Sequence, residues 1–337
     1  MAKTDKSLIW FAVVNVFAAS KNSEGRWTKA EALLKEYGVE YHSTRTGKAG
    51  NAREHTFDAC MAGYRRFIAV GGDGTVHDVL NGIAEYVEFN QTAGNKISIS
   101  DFTLSVIPVG SGNDWIKSLG IPCRVRDAVA AIARGHVDKQ DLVRADILDP
   151  MALPEEVALS SSYMVNIGGV GIDGKVCKHV NEMKEQGRAG KWLYIVSLLY
   201  VLKERRSSRI KVFCDDNLVF DGPYYSLAFG NGKFSGGGMR QTPDAVLDDG
   251  LLDVTVIPEV KPSVILRQMH KLYTKRFLKI PQITHARGKE VLVVPVDKYR
   301  EQLLEIDGEV EGLEDIEKWL SENSKNYGLE YQKTKVD

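Results

Sequence analysis

The residues of this sequence best suited to chemistry form a glycine-rich stretch, Gly71–Thr75, between the apolar run Phe67–Val70 and the helical pattern Val76–Ile83. A strand that enters a helix through glycines exposes unpaired N–H groups and the positive end of the helix dipole at one point. Phosphate is the ligand that such a point favours, and glycines let the backbone approach its oxygens. Because Asp73 would repel phosphate, we expect it to hold a cation, or a water on one. The alternative is a tight turn that binds nothing.

Two acidic stretches farther along the chain also carry ligand or catalytic chemistry. Asp248–Asp253 places paired acids at the entry to a strand, which suits a hard cation such as Mg²⁺ but also an ordinary hairpin turn. Ile306–Glu309 places two carboxylates on either side of a glycine, so that one can approach a reacting hydroxyl while the other positions it or a metal. Taken alone, each stretch is equally a turn signal.

The elements that position the glycine-rich stretch alternate between strand and helix patterns. This alternation predicts a parallel sheet with helices on its faces, a Rossmann-like α/β domain. The predicted strands are Leu8–Val14, Val39–Thr46, Phe67–Val70 and Thr103–Val109, and the predicted helices are Trp27–Tyr37, Asn51–Ala62, Thr75–Tyr86, Trp115–Leu119 and Ala128–Arg134, the last with Asp127 as its N-cap. Ligands collect at the carboxyl ends of parallel strands. The turns Thr46–Asn51, Gly71–Thr75 and Gly110–Asp114 therefore predict one nucleotide cleft.

From about residue 140 the pattern becomes rich in strands, which predicts an all-β sandwich. The predicted strands are Ala145–Leu148, Ser161–Val170, Ile210–Phe213, Tyr224–Gly230, Leu251–Ile257 and Glu290–Val296, and the predicted helices are Lys191–Glu204, Pro262–Ile280 and Glu314–Ser321. We therefore expect an α/β nucleotide domain over residues 1–140 and a β-sandwich domain over residues 141–312, with an interdomain cleft. The C-terminal helix, within residues 313–337, is expected to pack back on the first domain.

Basic residues recur every four positions on the predicted helix Pro262–Ile280, at Arg267, Lys271, Lys275 and Lys279. Such a stripe could rest on anionic lipid headgroups. The alternative is a solvated helix face, which an isolated run of charges favours slightly.

Composition limits the classes of function. The chain has 337 residues, 43% hydrophobic and 26% charged, with a formal net charge of −1, so its overall charge does not favour nucleic acid. Its four cysteines are scattered without CxxC spacing, which indicates a reducing compartment. The apolar run Leu8–Ala19 follows two lysines like a signal peptide, but Asn15 interrupts it, and we interpret it as a first strand. We therefore expect a cytoplasmic protein.

Other nucleotide motifs are weak or absent. A G-x-G-x-x-G pattern occurs at Gly169–Gly174, but it lies in the strand-rich half and no ribose-binding acid follows on a new strand. We interpret it as a turn at the domain junction. The sequence contains no GxxxxGK[ST], HExxH or GxSxG motif.

Taken together, Gly71–Thr75, Pro108–Trp115, Asp248–Asp253 and Ile306–Glu309 resemble, in order over nearly the whole chain, the diacylglycerol kinase catalytic-domain superfamily. The similarity is greatest to its soluble bacterial lipid-kinase branch, related to sphingosine kinases. GGDGT alone is shared with NAD kinases, whereas the later motifs in this order are more specific. The resemblance implies a Rossmann-like domain, a β-sandwich, a cleft between them, and phosphorylation of a lipid hydroxyl by ATP and Mg²⁺.

The resemblance also implies roles for individual residues. Nucleotide contacts are implied for Asn15, Thr46, Gly71, Gly72, Asp73, Gly74, Thr75, Val76, His77, Ser111, Asn113 and Asp114. A structural Mg²⁺ would be held by Asp249, by the backbone oxygens of Val246 and Leu251, and through water by Asp73. The general base would be Asp307 or Glu309, and the sequence leaves that choice open.

One departure from the family and two rival functions complete the analysis. The family's Asn-Pro followed by Ser-Gly after the first strand is Asn15–Ala18 here, without the proline and glycine, although Ser111 keeps the hydroxyl of the usual Thr. The rivals are a soluble-metabolite kinase of the NAD kinase type and a non-catalytic lipid- or nucleotide-binding relative. Within the lipid kinases, the motifs do not select among lipid alcohols. The resemblance allows peripheral contact with the inner face of the membrane, and oligomeric state stays open.

Overall fold

The fold was analysed in a computed structural model. It describes residues 5–17, 23–47, 50–110, 113–148, 158–186, 193, 196–197, 200, 208–274, 276–296, 304–307 and 309–311. The predicted C-terminal helix lies outside these residues, as does most of the predicted helix Lys191–Glu204.

The first half contains a four-stranded parallel sheet in the order β2-β1-β3-β4. Its strands are β1 (Trp10–Val14), β2 (Tyr41–Arg45), β3 (Arg66–Gly71) and β4 (Thr103–Pro108). In the central strand β3, Phe67 and Ala69 pack into the core on one face while Ile68 and Val70 pack into the core on the other. A strand that alternates between two cores is buried on both faces, as parallel sheets require.

Helices cover both faces of this sheet. They are α1 (Ser23–Glu36), α2 (Ala52–Met61), α3 (Asp73–Thr92), α4 (Trp115–Ser118) and α5 (Val125–Arg134). Gly135 closes α5 in the left-handed conformation at φ 67°, as glycine at a helix C-terminus favours. The predicted N-cap is wrong, because Arg124 occupies that position and Asp127 lies inside the first turn. A carboxylate there still opposes the positive end of the helix dipole.

The second half contains an antiparallel sheet whose main path runs β11-β10-β9-β7-β13-β14, with β8 and β12 paired beside it. Its strands are β7 (Ile167–Gly171), β8 (Ser208–Cys214), β9 (Asn217–Gly230), β10 (Leu252–Pro258), β11 (Thr284–Gly288), β12 (Val291–Pro295), β13 (Leu304–Ile306) and β14 (Glu309–Glu311). A separate ribbon pairs β5 (Val143–Leu148) with β6 (Ala158–Met164), and helix α6 (Ile172–Glu185) follows β7. The predicted fold class, an α/β sheet followed by an antiparallel β domain, is confirmed. The predicted domain boundaries stay predictions.

One predicted strand, Ser161–Val170, is in fact two strands in different sheets. Strand β6 ends at Met164 and belongs to the ribbon, whereas β7 begins at Ile167 and belongs to the large sheet. The continuous apolar pattern hid the break at residues 165–166, because both sides of the break are buried. This break contributes to the cleft described below.

The predicted helix Pro262–Ile280 is also wrong as one continuous element. Helix α7 spans only Pro262–Gln268, and 3₁₀ turns follow at Met269–Tyr273 and Phe277–Lys279. The Leu272 carbonyl accepts a hydrogen bond from the Arg240 N–H (2.5 Å), which comes from outside the segment. The basic residues therefore do not share one helix face, and Lys275 lies outside the described residues.

The packing of α2 against α3 makes a testable prediction at Gly82. A Cβ on Gly82 would fall 2.4 Å from the Arg53 carbonyl oxygen, so the two helices would have to separate. We expect Gly82→Ala to lower the free energy of unfolding by about 1–3 kcal/mol, measured by urea denaturation, despite the higher helix propensity of alanine.

The matched control for Gly82→Ala is Gly47→Ala, because a Cβ on Gly47 meets nothing within 4 Å. We expect this control to leave stability within about 0.5 kcal/mol of wild type. Equal stabilities for the two variants would contradict the close packing of α2 on α3.

Candidate active site

The glycine turn joins β3 to the N-terminus of α3 as the sequence predicts. Its geometry excludes larger residues, since a Cβ on Gly71 would overlap the Thr75 side chain. The Gly72 carbonyl accepts the N–H groups of Thr75 (3.1 Å) and Val76 (3.2 Å), which closes the first turn of the helix. Asn15, which follows β1, donates its Nδ2 hydrogen to Thr75 Oγ1 at 3.2 Å. The turn is thus a rigid strand-to-helix junction at the carboxyl edge of the sheet.

A second glycine loop lies directly against the first. The N–H groups of Val109 and Gly110 both donate to the Gly71 carbonyl, at 3.0 and 3.1 Å. A Cβ on Gly110 would come within 2.9 Å of Gly72, so the two backbones touch. The predicted convergence of these two turns at one edge of the sheet is therefore present in the structure.

The carboxylate of Asp73 joins the two glycine loops. It accepts hydrogen bonds from the N–H groups of Asp114 (2.8 Å) and Trp115 (3.2 Å), at the start of α4. Burial, aided by the nearby charge of Asp114, raises the pKa of Asp73 to about 7 despite the lowering effect of the two amides. The contacts of Asp73 in this structure are therefore with backbone amides of the protein, and they hold the two glycine loops together.

Asp114 extends the connection to the second half of the chain. Its buried carboxylate pairs with the Lys117 ammonium group and accepts the Gly237 N–H at 2.6 Å. Gly237 belongs to the segment that follows β9. The same acid therefore contacts both halves of the molecule at the cleft.

Asp307 also lines the cleft and is held in a similar way. Its two carboxylate oxygens accept the N–H groups of Val165 and Asn166, each at 2.9 Å. These amides belong to the break between β6 and β7. Asp307 has φ 51°, a left-handed conformation, and its side chain is only 1% exposed. His77, on α3, places its Nδ1 atom 3.8 Å from Asp307 Oδ2.

Glu309 is the more accessible of the two candidate bases. The residue is exposed, and its carboxylate lies directly against Gly74, where an added Cβ would overlap it. Gly74 lies in the first turn of α3, where the helix dipole favours an anion. The structure thus places Glu309 beside the predicted phosphate site, whereas Asp307 is enclosed.

Several acids line a cleft whose space is about 960 Å³ when the open solvent at its mouth is counted. They are Asp73, Asp114, Glu305 and Asp307. Apolar side chains form much of the remaining wall, and they come from α6, β10 and the segments near residues 239 and 272: Ile172, Val176, Met239, Ile257 and Leu272. The cleft therefore combines acids near the glycine turn with an extensive apolar wall.

The other residues predicted to contact nucleotide differ in their burial and in their hydrogen bonding. Thr46 is buried after β2, and its Oγ1 has no hydrogen-bond partner among the described residues. Asn113 donates its Nδ2 hydrogen to the Gly110 carbonyl at 2.8 Å, while its Oδ1 is likewise buried without a partner there. Val76 packs into the core, so its side chain faces away from the cleft. Ser111 lies outside the described residues.

The predicted metal turn shows a different arrangement. Asp249 Oδ2 pairs with Arg287 Nη2 at 2.6 Å, and its Oδ1 accepts the Leu251 N–H at 3.1 Å. Val246 is exposed. Within the described ranges, no three His, Cys, Asp or Glu side chains are grouped to share a metal. A resident Mg²⁺ at Asp249 does not fit these contacts, because a guanidinium already neutralises its carboxylate.

Sequence reasoning did not identify two residues of this region. Asn166 orients Asp307 through its N–H, lines the cleft, and keeps a buried Oδ1 without a partner among the described residues. Its position just before Gly168 and Gly169 was the available signal. Arg287 had no motif to mark it, because its role depends on pairing across two strands.

The raised pKa of Asp73 makes stability depend on pH. Because the folded state holds this proton more tightly than the unfolded chain, whose Asp pKa is about 3.9, stability falls as pH rises towards about 7. We expect the wild-type Tm, relative to that of Asp73→Asn, to decrease between pH 5 and pH 8. Thermal denaturation of both proteins measures it, and a difference that is constant with pH would contradict the burial of a titrating carboxyl.

No helix of the described residues is long and apolar enough to cross a bilayer.

Residues 10–145 match the diacylglycerol kinase catalytic domain, and residues 166–317 match the YegS C-terminal NAD kinase beta sandwich-like domain. The first match ends within β5, and the second begins at the break between β6 and β7.

Individual relatives agree with these matches. A diacylglycerol kinase of Staphylococcus epidermidis is 26% identical over 84% of this chain and 80% of its own length. A protein of Stenotrophomonas maltophilia named probable lipid kinase YegS-like is 28% identical over 72% of each chain. The crystal structure of a diacylglycerol kinase from Bacillus anthracis shares the fold, with a TM-score of 0.61, 21% identity and 90% coverage of each chain. The chain belongs to the diacylglycerol kinase catalytic-domain superfamily and is a kinase of that superfamily.

Proposed function

We propose that this kinase transfers the γ-phosphoryl group of ATP, bound as its Mg²⁺ complex, to the hydroxyl of a lipid alcohol, diacylglycerol or a close relative. The observation that carries the proposal is the cleft, whose lining combines Asp73, Asp114 and Asp307 with an apolar wall. A lipid alcohol has the same two-part chemistry. Its hydroxyl would lie at the acidic end and its acyl chains against Ile172, Val176 and Leu272.

The nucleotide would bind at the carboxyl edge of the parallel sheet. The first N–H groups of α3 offer hydrogen bonds and a positive dipole end to the phosphates. Asn15, Thr46 and Asn113 border the same edge, and the unpartnered oxygens of Thr46 and Asn113 can accept hydrogen bonds from ATP or its hydration shell. Mg²⁺ enters with ATP as part of the substrate and offsets the charge of the phosphates. We accordingly place nucleotide binding in residues 1–140 and lipid binding in residues 141–312.

The reaction requires alignment of the lipid hydroxyl with the γ-phosphorus and removal of the hydroxyl proton. The lipid oxygen forms a bond to the γ-phosphorus while the bond from that phosphorus to the β-bridging oxygen breaks, and ADP leaves. We assign Glu309 as the base that accepts the hydroxyl proton, because the residue is exposed and its carboxylate lies beside Gly74. Asp307 is a positioning residue, because both of its oxygens are engaged by amides.

Access to the lipid would be from the membrane surface. Leu272 lines the cleft, while its neighbours Arg267 and Lys279 are exposed. Exposed cations near an apolar opening favour peripheral contact with anionic lipid. We therefore propose a cytoplasmic enzyme that meets the inner face of the membrane transiently.

The two acids are separated by their amide variants. We expect Glu309→Gln to reduce kcat by about 10²–10⁴-fold while Tm and ATP binding stay near wild type. Asp307→Asn should lower the free energy of unfolding by about 1–3 kcal/mol, since it removes a charged acceptor from two buried amides. Turnover, ATP binding and thermal denaturation measure the three effects. Wild-type turnover in Glu309→Gln would remove Glu309 as the base.

The substrate experiment incubates purified protein with ATP, Mg²⁺ and a bacterial lipid extract, followed by mass spectrometry. We expect a lipid species heavier by one phosphate, with diacylglycerol consumed. Phosphorylation of NAD without any lipid product would instead indicate a soluble-metabolite kinase. ATP binding without either product would indicate a non-catalytic relative.

A further inference from the structure

A single arginine cross-links the acidic turn at Asp249 to the large sheet. Arg287 lies on β11 opposite Asp253 of β10 in the antiparallel register. Its Nε atom is 2.8 Å from Asp253 Oδ2, and its Nη2 atom is 2.6 Å from Asp249 Oδ2. The guanidinium therefore bridges two carboxylates that are four residues apart, one on the strand and one on the turn before it.

Charge and burial make this cation necessary. The Asp253 side chain is fully buried, at 0% exposure, and Asp249 is 27% exposed. A buried carboxylate is stable only with a counter-charge and hydrogen bonds. His285 approaches the other oxygen of Asp253, Oδ1, at 3.1 Å, but among the described residues only Arg287 contacts both acids and carries a permanent charge.

The turn also joins the two halves of the chain. The Gly250 N–H donates to Asp141 Oδ2 at 2.6 Å, and the Asp141 N–H donates to the Leu247 carbonyl at 2.8 Å. Asp141 lies just before β5, where the chain leaves the first half. A cation that fixes Asp249 therefore also fixes the contact between this connecting segment and the sheet.

We propose that the guanidinium of Arg287 takes the place of a resident metal ion at the Asp249 turn, so that folding of this region is independent of Mg²⁺. A metal ion would need the Asp249 carboxylate, whose Oδ2 atom is engaged by Arg287. Arginine presents several donors in a planar fork, which suits two carboxylates at once. The substrate Mg²⁺ that accompanies ATP is a separate ion.

The test uses Arg287→Met, which removes the guanidinium from the carboxylates of Asp249 and Asp253 and leaves them able to bind a hard cation. In the absence of nucleotide, EDTA, millimolar Mg²⁺ or millimolar Ca²⁺ should each shift the Tm of the wild type and the Tm of Asp249→Asn by the same amount. Arg287→Met should have a lower Tm that Mg²⁺ or Ca²⁺ raises by about 2 °C or more, because a ligand of the folded state stabilises it. The double variant Arg287→Met with Asp249→Asn should lose that gain.

The matched control is Arg209→Met, which removes the exposed ion pair of Arg209 with Asp221 on neighbouring strands. It should show no gain with cations. Stabilisation of the wild type by Mg²⁺ that Asp249→Asn abolishes would overturn the proposal, as would absence of a cation effect in Arg287→Met.

If Arg287→Met does not fold, the metal content of wild-type protein after gel filtration in Mg²⁺ decides the question. Content equal to that of Asp249→Asn supports the proposal, and one additional equivalent in the wild type overturns it.

Discussion

The cleft depends on a buried carboxylate, that of Asp73, bound by the amides of Asp114 and Trp115. A charged acceptor of backbone N–H groups contributes about 1.5–3 kcal/mol for each bond, but its desolvation opposes that gain. The value of the arrangement is therefore geometric as much as energetic. It fixes the second glycine loop against the first, and with it the edge of the sheet at which the phosphates would bind.

The same device recurs at Asp307, whose carboxylate is bound by the amides of Val165 and Asn166. These amides are available only because the chain leaves one sheet at Met164 and enters another at Ile167. Each half of the molecule thus supplies a buried acid to the cleft. Backbone amides orient each acid, at the start of a helix for Asp73 and between two strands for Asp307. Glu309 differs because the residue is exposed and its carboxylate lies beside Gly74.

The concentration of acids at one end of the cleft has an electrostatic consequence. Burial raises the pKa of Asp73, and the neighbouring charges of Asp114 and Asp307 raise it as well. Lys117 offsets part of the charge at Asp114. The Asp249 turn balances its charge differently, through Arg287, so the two acidic regions of this chain are not equivalent in their need for an external cation.

The sequence determined the alternating α/β sheet, the antiparallel second half and the convergence of the two glycine turns, because these follow from hydrophobic periodicity and local turn chemistry. It also identified the family, because each motif is a local pattern and the order of the motifs can be read along the chain. Tertiary structure alone decided the roles of the acids. Whether Asp73 faces a metal or two amides, and whether Asp307 or Glu309 is accessible, depends on contacts between residues tens to hundreds of positions apart. The break at Asn166 and the pairing of Arg287 with Asp249 were hidden for the same reason, since no local pattern records which strand a side chain will face.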